Sequence, residues 1–237
     1  MRVALIRVAF VALPAIAALL WGALTGNAEA ADLPTYKPPS RGAPAGRVGG
    51  GTRSIQFPVR QVVAVFAPDH IGLTTREQPS LYWYASQPVA TRVEIVAADE
   101  RAGNALLQLA IASPTSAGVQ KLDLARHGVR LQSDVEYLWT VSVDVGQTQR
   151  PSSGRMRRIA LNPELARRLQ DTPTSEHVAI YAEQGLWYDA IAAIGELIEQ
   201  SQNDPGLRMQ RASLLEQAGL KEAAASDTTP SRGQAAP

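Results

Sequence analysis

The 237-residue chain predicts an α+β fold, in which an antiparallel β-sandwich is followed by a short helical region. Three observations carry that expectation. Over residues 58–161, apolar residues recur with period two in short segments divided by turn signals. After Asn162-Pro163 the period becomes that of amphipathic helices. Beyond the first thirty residues, no run is long and apolar enough to span a bilayer.

The first element is a leader. Arg2 and Arg7 precede an apolar run from Val8 to Leu24, and a polar stretch closes on Ala28-Glu29-Ala30. That order of charged, apolar and small-residue segments is a Sec-type signal peptide, residues 1–30, with cleavage after Ala30. A retained anchor is the alternative. The apolar run falls short of the ~20 residues a spanning helix needs and carries Pro14 and Gly22, so no stable membrane anchor is expected after processing. The expected location is therefore the periplasm or the exterior.

Residues 31–57 are rich in Pro, Gly and Arg and read as a flexible arm. Strands are expected over residues 61–66, 81–84, 91–97, 106–111, 119–124, 135–145 and 155–161. Val93 and Ile95 share one face against Arg92 and Glu94. In the longest strand, Tyr137, Trp139, Val141, Val143 and Val145 share a face. A tyrosine at the start of that strand, in LQSDVEY, resembles the tyrosine corner of immunoglobulin-like and fibronectin type III domains. There its hydroxyl bonds back to upstream backbone. Trp83 would then be a core tryptophan.

Asn162 as N-cap and Pro163 at the first helical position start a short helix to residue 170. Ser175 is expected to cap a helix ending near Gln184. Residues 187–200 form an amphipathic helix carrying Ile191, Ile194, Leu197 and Ile198, and residues 207–217 another after Asp204-Pro205. The helical region is set at 162–225, with a disordered tail at 226–237. It also repeats itself: AEQGL around Gly185 is echoed by EQAGL around Gly219, 34 residues later, and each glycine is followed five residues on by an alanine. This resembles tetratricopeptide repeats, although fewer than the usual three are present.

Composition narrows the function. Net charge is +1, so no global field recruits nucleic acid or an anionic membrane. There is no cysteine, which removes disulfides and a lipidated N-terminal cysteine, and 45% hydrophobic content suffices to build a core without them. His70, His127 and His177 lack ligand spacing, so no metal is expected. No G-x-S-x-G elbow, Ser-x-x-Lys pair or phosphate-binding G-x-x-x-x-G-K-[ST] is present, and no catalytic residue or cofactor is assigned. Asp69-His70 could pair as acid and base, but beside Pro68 it reads first as a turn. Two sets of binding residues remain. Arg41, Arg47 and Arg53 recur every six residues in the arm and suit carboxylate or phosphate groups of an anionic envelope polymer. Trp187 and Tyr188 open a helix at adjacent positions about 100° apart, which predicts one in the core and one nearer the surface as a partner anchor.

The segments PPSRGAPAGRVGGGTR, QPSLYWY and YAEQGLWYDAI, with LLEQAGL near the end, resemble the bacterial proteins grouped as DUF928. The resemblance covers most of the mature chain, implies an exported two-part protein and supplies no catalytic residue. The expected function is a non-enzymatic cell-envelope scaffold or accessory that meets another envelope protein. The alternatives are a polymer- or carbohydrate-binding β-sandwich module, for which Tyr82 or Tyr84 would form an exposed aromatic platform, and an envelope hydrolase with clustered carboxylates. Intact-mass analysis of protein taken from the periplasm should show a chain starting near Ala31. A full-length species recovered only by detergent would overturn the cleaved leader.

Overall fold

In the computed structural model, the described residues are 33–39, 63–98, 105–145, 148–202 and 204–228. The expected signal peptide, its expected cleavage site and most of the Pro/Gly/Arg segment lie outside them. The fold is α+β, with two sheets ahead of five helices.

The first sheet has three antiparallel strands in the order β1-β3-β6, formed by β1 (Val63–Val65), β3 (Ser80–Ala85) and β6 (Gly118–Asp123). The second has five, in the order β2-β8-β7-β4-β5: β2 (Gly72–Thr74), β8 (Thr148–Arg158), β7 (Glu136–Val145), β4 (Val89–Ala97) and β5 (Ala105–Thr115). The alternation read from sequence sets the faces. Tyr137, Trp139, Val141 and Val143 of β7 are buried with Val93 and Ile95 of β4, while Arg92 is exposed. Register places Ile95 beside Trp139 and Val93 beside Val141. Trp83 is buried as expected. The sheets meet where the Val65 N–H on β1 donates to Ser152 Oγ on β8 at 3.1 Å.

Tyr137 makes the corner its position predicted. Its hydroxyl accepts from the Gln132 N–H at 3.0 Å, across a turn in which Asp134 has φ 63°. Asp and Asn tolerate that left-handed conformation best among residues with a Cβ.

Two strands differ from expectation. β8 begins at Thr148, seven residues before the expected 155, because Pro151-Ser-Ser-Gly154 reads as a turn yet pairs along β7. Proline is tolerated there because β2 pairs only with Met156 to Arg158, so β8 at Pro151 needs no donor on that side. β2 was not expected, and it runs parallel to β8. Three residues are too few to show a period. What holds them is α3 (Trp187–Gln200): Asp189 accepts from Thr74 Oγ1 at 2.6 Å, Thr75 N at 2.7 Å and Thr75 Oγ1 at 2.8 Å. Arg76 pairs with Glu196 two turns along the same helix.

The remaining helices are α1 (Pro163–Gln170), α2 (His177–Glu183), α4 (Pro205–Gln217) and α5 (Lys221–Thr228). Asn162 is the cap expected of α1, accepting from Glu164 N at 2.8 Å. Asp204, accepting from Gly206 N at 2.8 Å, caps α4, which starts two residues earlier than expected. Ser175 is not a cap. It lies in a 3-10 turn, Thr174–Glu176, that leads into α2. α5 runs past the expected boundary at 225, because Asp227 forms a bidentate pair with Arg211 of α4 at 2.7 and 2.6 Å with both side chains buried. Residues 226–228 therefore belong to the fold, and the rest of the expected tail lies outside the described residues.

The echo around Gly185 and Gly219 is a repeated turn. Both glycines have φ 72°. Gly185 N bonds Ala182 O and Leu186 N bonds Tyr181 O, while Gly219 N bonds Glu216 O and Leu220 N bonds Leu215 O. This is the paired hydrogen-bond pattern of a Schellman helix end, which glycine adopts without a Cβ penalty. The alanines five residues later, Ala190 and Ala224, are buried. Helices and sheets nevertheless share one apolar core, from Val63 through Trp139 to Ala224.

Replacing Tyr137 with Phe leaves the Gln132 N–H without its acceptor and should cost about 1–3 kcal/mol. Replacing Trp139 with Ala should cost about 3–5 kcal/mol. Thermal melting checks both, and parental melting of the two variants would remove Tyr137 and Trp139 from the core.

Candidate functional site

Trp187 and Tyr188 lie together at the first turn of α3, and both are buried, at 0% and 1% exposure. The Trp187 indole donates to Phe66 O at 2.9 Å. The Tyr188 hydroxyl accepts from Trp139 Nε1 at 2.9 Å and donates to Arg155 O at 3.0 Å. Burial pushes the Tyr188 pKa up, so this hydroxyl stays protonated. The expectation that one of the pair lies near the surface is not met. α3 is buried on every side from Trp187 to Gly195, between the β region, α2 and α4, so residues 100° apart both meet protein. The aromatic platform is absent in the same way: Tyr82 is 3% exposed, under α3, and Tyr84 is only partly exposed on β3.

The most site-like arrangement involves a segment that sequence reasoning took for flexible. Residues 33–39, LPTYKPP, run extended across the two helical hairpins, with Pro34 and Tyr36 inward and Leu33, Thr35 and Lys37 outward. One side chain grips their backbone on both sides of Thr35: Gln217 Oε1 accepts from Tyr36 N at 2.8 Å, and Gln217 Nε2 donates to Pro34 O at 2.9 Å. Further along, Lys37 N donates to Ala182 O at the end of α2, at 3.0 Å. The chain then passes over Gly185, where a Cβ would stand 2.8 Å from the Lys37 carbonyl and 3.2 Å from the Pro39 ring. Gly185 thus serves both the left-handed turn and the close passage of the segment.

Tyr36 fills the pocket beneath. Its ring meets Trp187 edge-on at 4.9 Å between centroids and stacks on His70 at 5.8 Å. Its hydroxyl is 2.8 Å from His70 Nε2, and His70 Nδ1 is 3.0 Å from Asp69 Oδ1. Asp69 accepts only, so the arrangement that satisfies all three groups has Nδ1–H donating to Asp69 and Tyr36 donating to Nε2. Burial, reinforced by the Asp69 charge, pushes the Tyr36 pKa up. The Asp69-His70 pair is indeed in the turn after β1, and it orients a neutral tyrosine.

The segment is weakly held for its length. Its four hydrogen bonds contribute about 1 kcal/mol each, and burying the tyrosine about 2–3 kcal/mol. Ordering seven residues costs about 1 kcal/mol or more per residue. These nearly cancel.

A second concavity lies on the face of the five-stranded sheet away from the core. It is a polar cleft of about 510 Å³ lined by Arg92, Glu94, Gln108, Thr140, Ser142 and Gln149, among others. Gln108 bonds Glu94 and Gln149 bonds Ser142, so its amides and hydroxyls are partly tied together. Among the described residues no group of three or more His, Asp or Glu could hold a metal ion. His177 is turned to Leu169 O and Thr172 O within the helical part. Arg41, Arg47 and Arg53 lie outside the described residues.

Tyr36 and Gln217 were not singled out in the sequence, and His70 was weighed only with Asp69, as an acid-base pair or a turn. The available signal was Tyr36 itself, the only aromatic among residues 31–56 and flanked by Pro34 and Pro38. A lone aromatic in a proline-rich segment suggests an anchor; position 70 is marked only as a turn beside Pro68, and position 217 carries no local mark.

A family model described as Domain of Unknown Function (DUF928) matches residues 48–228. No curated protein matches the chain. The docked segment precedes the matched range.

Tyr36→Ala should free residues 33–39 while the rest of the fold stays intact. In hydrogen exchange, the Lys37 amide should lose protection, with the amides of β7 unchanged. Loss of protection throughout β7 would show that the segment is part of the core.

Proposed function

The chain belongs to the DUF928 family, and we propose that it is a non-enzymatic, exported cell-envelope protein that works as a scaffold or accessory by holding extended segments of protein on its helical hairpins. One observation carries the reading: residues 33–39 lie across those hairpins with their backbone gripped by Gln217 and the Ala182 carbonyl. Backbone-directed bonds of that kind accept many sequences, while the Tyr36 pocket selects an aromatic. The hairpins are read as tetratricopeptide-like, on the strength of the 34-residue spacing and the matching turns at Gly185 and Gly219. The sheets are read as an immunoglobulin- or fibronectin III-like sandwich, on the strength of the Tyr137 corner. Export and a periplasmic location rest on the charged, apolar and Ala28-Glu29-Ala30 segments of the leader.

The polar cleft on the five-stranded sheet favours a second reading, a polymer- or carbohydrate-binding module. Its amides, hydroxyls and single exposed guanidinium, Arg92, suit sugar hydroxyls or an acidic polymer. Arg41, Arg47 and Arg53 would add charge to that role.

Photo-crosslinking in the periplasm separates the two. A photoreactive residue in place of Met209, exposed on α4, should yield discrete protein adducts, and one in place of Arg92 should yield none. Polymer adducts from position 92 with none from position 209 would favour the cleft. Silence from both would overturn both readings.

A further inference from the structure

We infer that the groove holding residues 33–39 is an exchange site, whose ligand in trans is the same LPTYKPP segment of a second copy of this chain. The inference rests on the reading of the hairpins as a peptide-holding surface and names its occupant. Three observations support it. The groove and segment match group by group: the carboxamide of Gln217 spans Pro34 O and Tyr36 N, Ala182 O meets Lys37 N, His70 and Trp187 enclose the Tyr36 ring, and Gly185 clears the path of Lys37 and Pro39. An identical copy presents that complement without any further change in sequence. Next, the segment is joined to β1 only through residues 40–62, 23 residues that include five glycines. A stretch of that length spans at most about 80 Å, which does not confine the segment to its own molecule. Finally, cis and trans seating make the same contacts, so the groove itself does not distinguish them. Reciprocal exchange between two copies buries every segment and closes as a twofold dimer.

In the wild-type chain the cis segment competes at an effective concentration on the order of millimolar. Exchange is therefore exposed by separating the two halves of the contact. Full-length mature Tyr36→Ala has an intact groove and no anchor. Full-length mature Gln217→Ala has an intact anchor and a groove that has lost its backbone grip. Each alone should sediment as a monomer. Mixed, they should give a 1:1 species of twice the monomer mass, identified by native mass spectrometry with one variant isotopically labelled. Circular dichroism checks that both are folded. If Tyr36→Ala is not, Lys37→Pro replaces it, since it removes the donor to Ala182 O and leaves the core untouched. A labelled synthetic peptide of residues 31–40, titrated onto Tyr36→Ala, supplies the second arm of the test. Peptide binding without a mixed dimer overturns the second copy as occupant and leaves the peptide-holding surface standing. Absence of both overturns the exchange and the surface on which it rests.

Discussion

The first turn of α3 is the contact on which the other elements depend. Trp187 and Tyr188 are inserted into the β region, and each uses its polar end as well as its ring. The indole bonds the Phe66 carbonyl just past β1, and the phenol bridges Trp139 on β7 and the Arg155 carbonyl on β8. β1 belongs to one sheet, and β7 and β8 belong to the other. A single helical turn therefore ties both sheets to the helices. Burying polar tips is costly unless they are paired, and here both are paired to groups whose positions are set by strand register. That makes the docking geometrically specific as well as apolar.

The consequences extend along α3. With its first turn fixed, Asp189 comes to Thr74 and Thr75, and β2 gains support beyond its three-residue pairing with β8. Burial pushes the Asp189 pKa up, against the pull of these donors and of Arg76. Farther along, Gly195 lets the Tyr82 hydroxyl press against the helix backbone, bringing α3 close to the three-stranded sheet. The helices thus complete the core of the β region.

The docked segment depends on the same turn. Trp187 forms a wall of the Tyr36 pocket with one edge while its indole nitrogen faces Phe66. The groove exists because α2 and α4 end in equivalent glycine turns, which place the Ala182 carbonyl and the Gln217 side chain along one line. Backbone grip and aromatic pocket come from different parts of the chain: the turn after β1, the α2 end, the α3 start and the α4 end.

Local physics was readable in the residues themselves. Period-two burial in β4 and β7, the caps at Asn162 and Asp204, the corner at Tyr137 and the repeated glycine turns all follow from interactions within a few residues or from one strand against its neighbour. The sequence by itself determined these, and with them the α+β order of the chain. It could not determine what depends on distant groups. β2 is held by Asp189, more than a hundred residues away, and α5 by a buried pair whose members are 16 residues apart. β8 runs through Pro151-Ser-Ser-Gly154 because β7 supplies the pairing that the local residues disfavour. Trp187 and Tyr188 looked like one core and one surface residue because helical geometry separates them by 100°, a rule that assumes a helix lying flat on its core. α3 instead is enclosed on every side from Trp187 to Gly195, by the β region and by α2 and α4. Residues 33–39 looked free because proline-rich composition describes only what the segment can do alone. Whether such a segment docks is decided by Gln217, His70 and Trp187, which only the tertiary structure brings together.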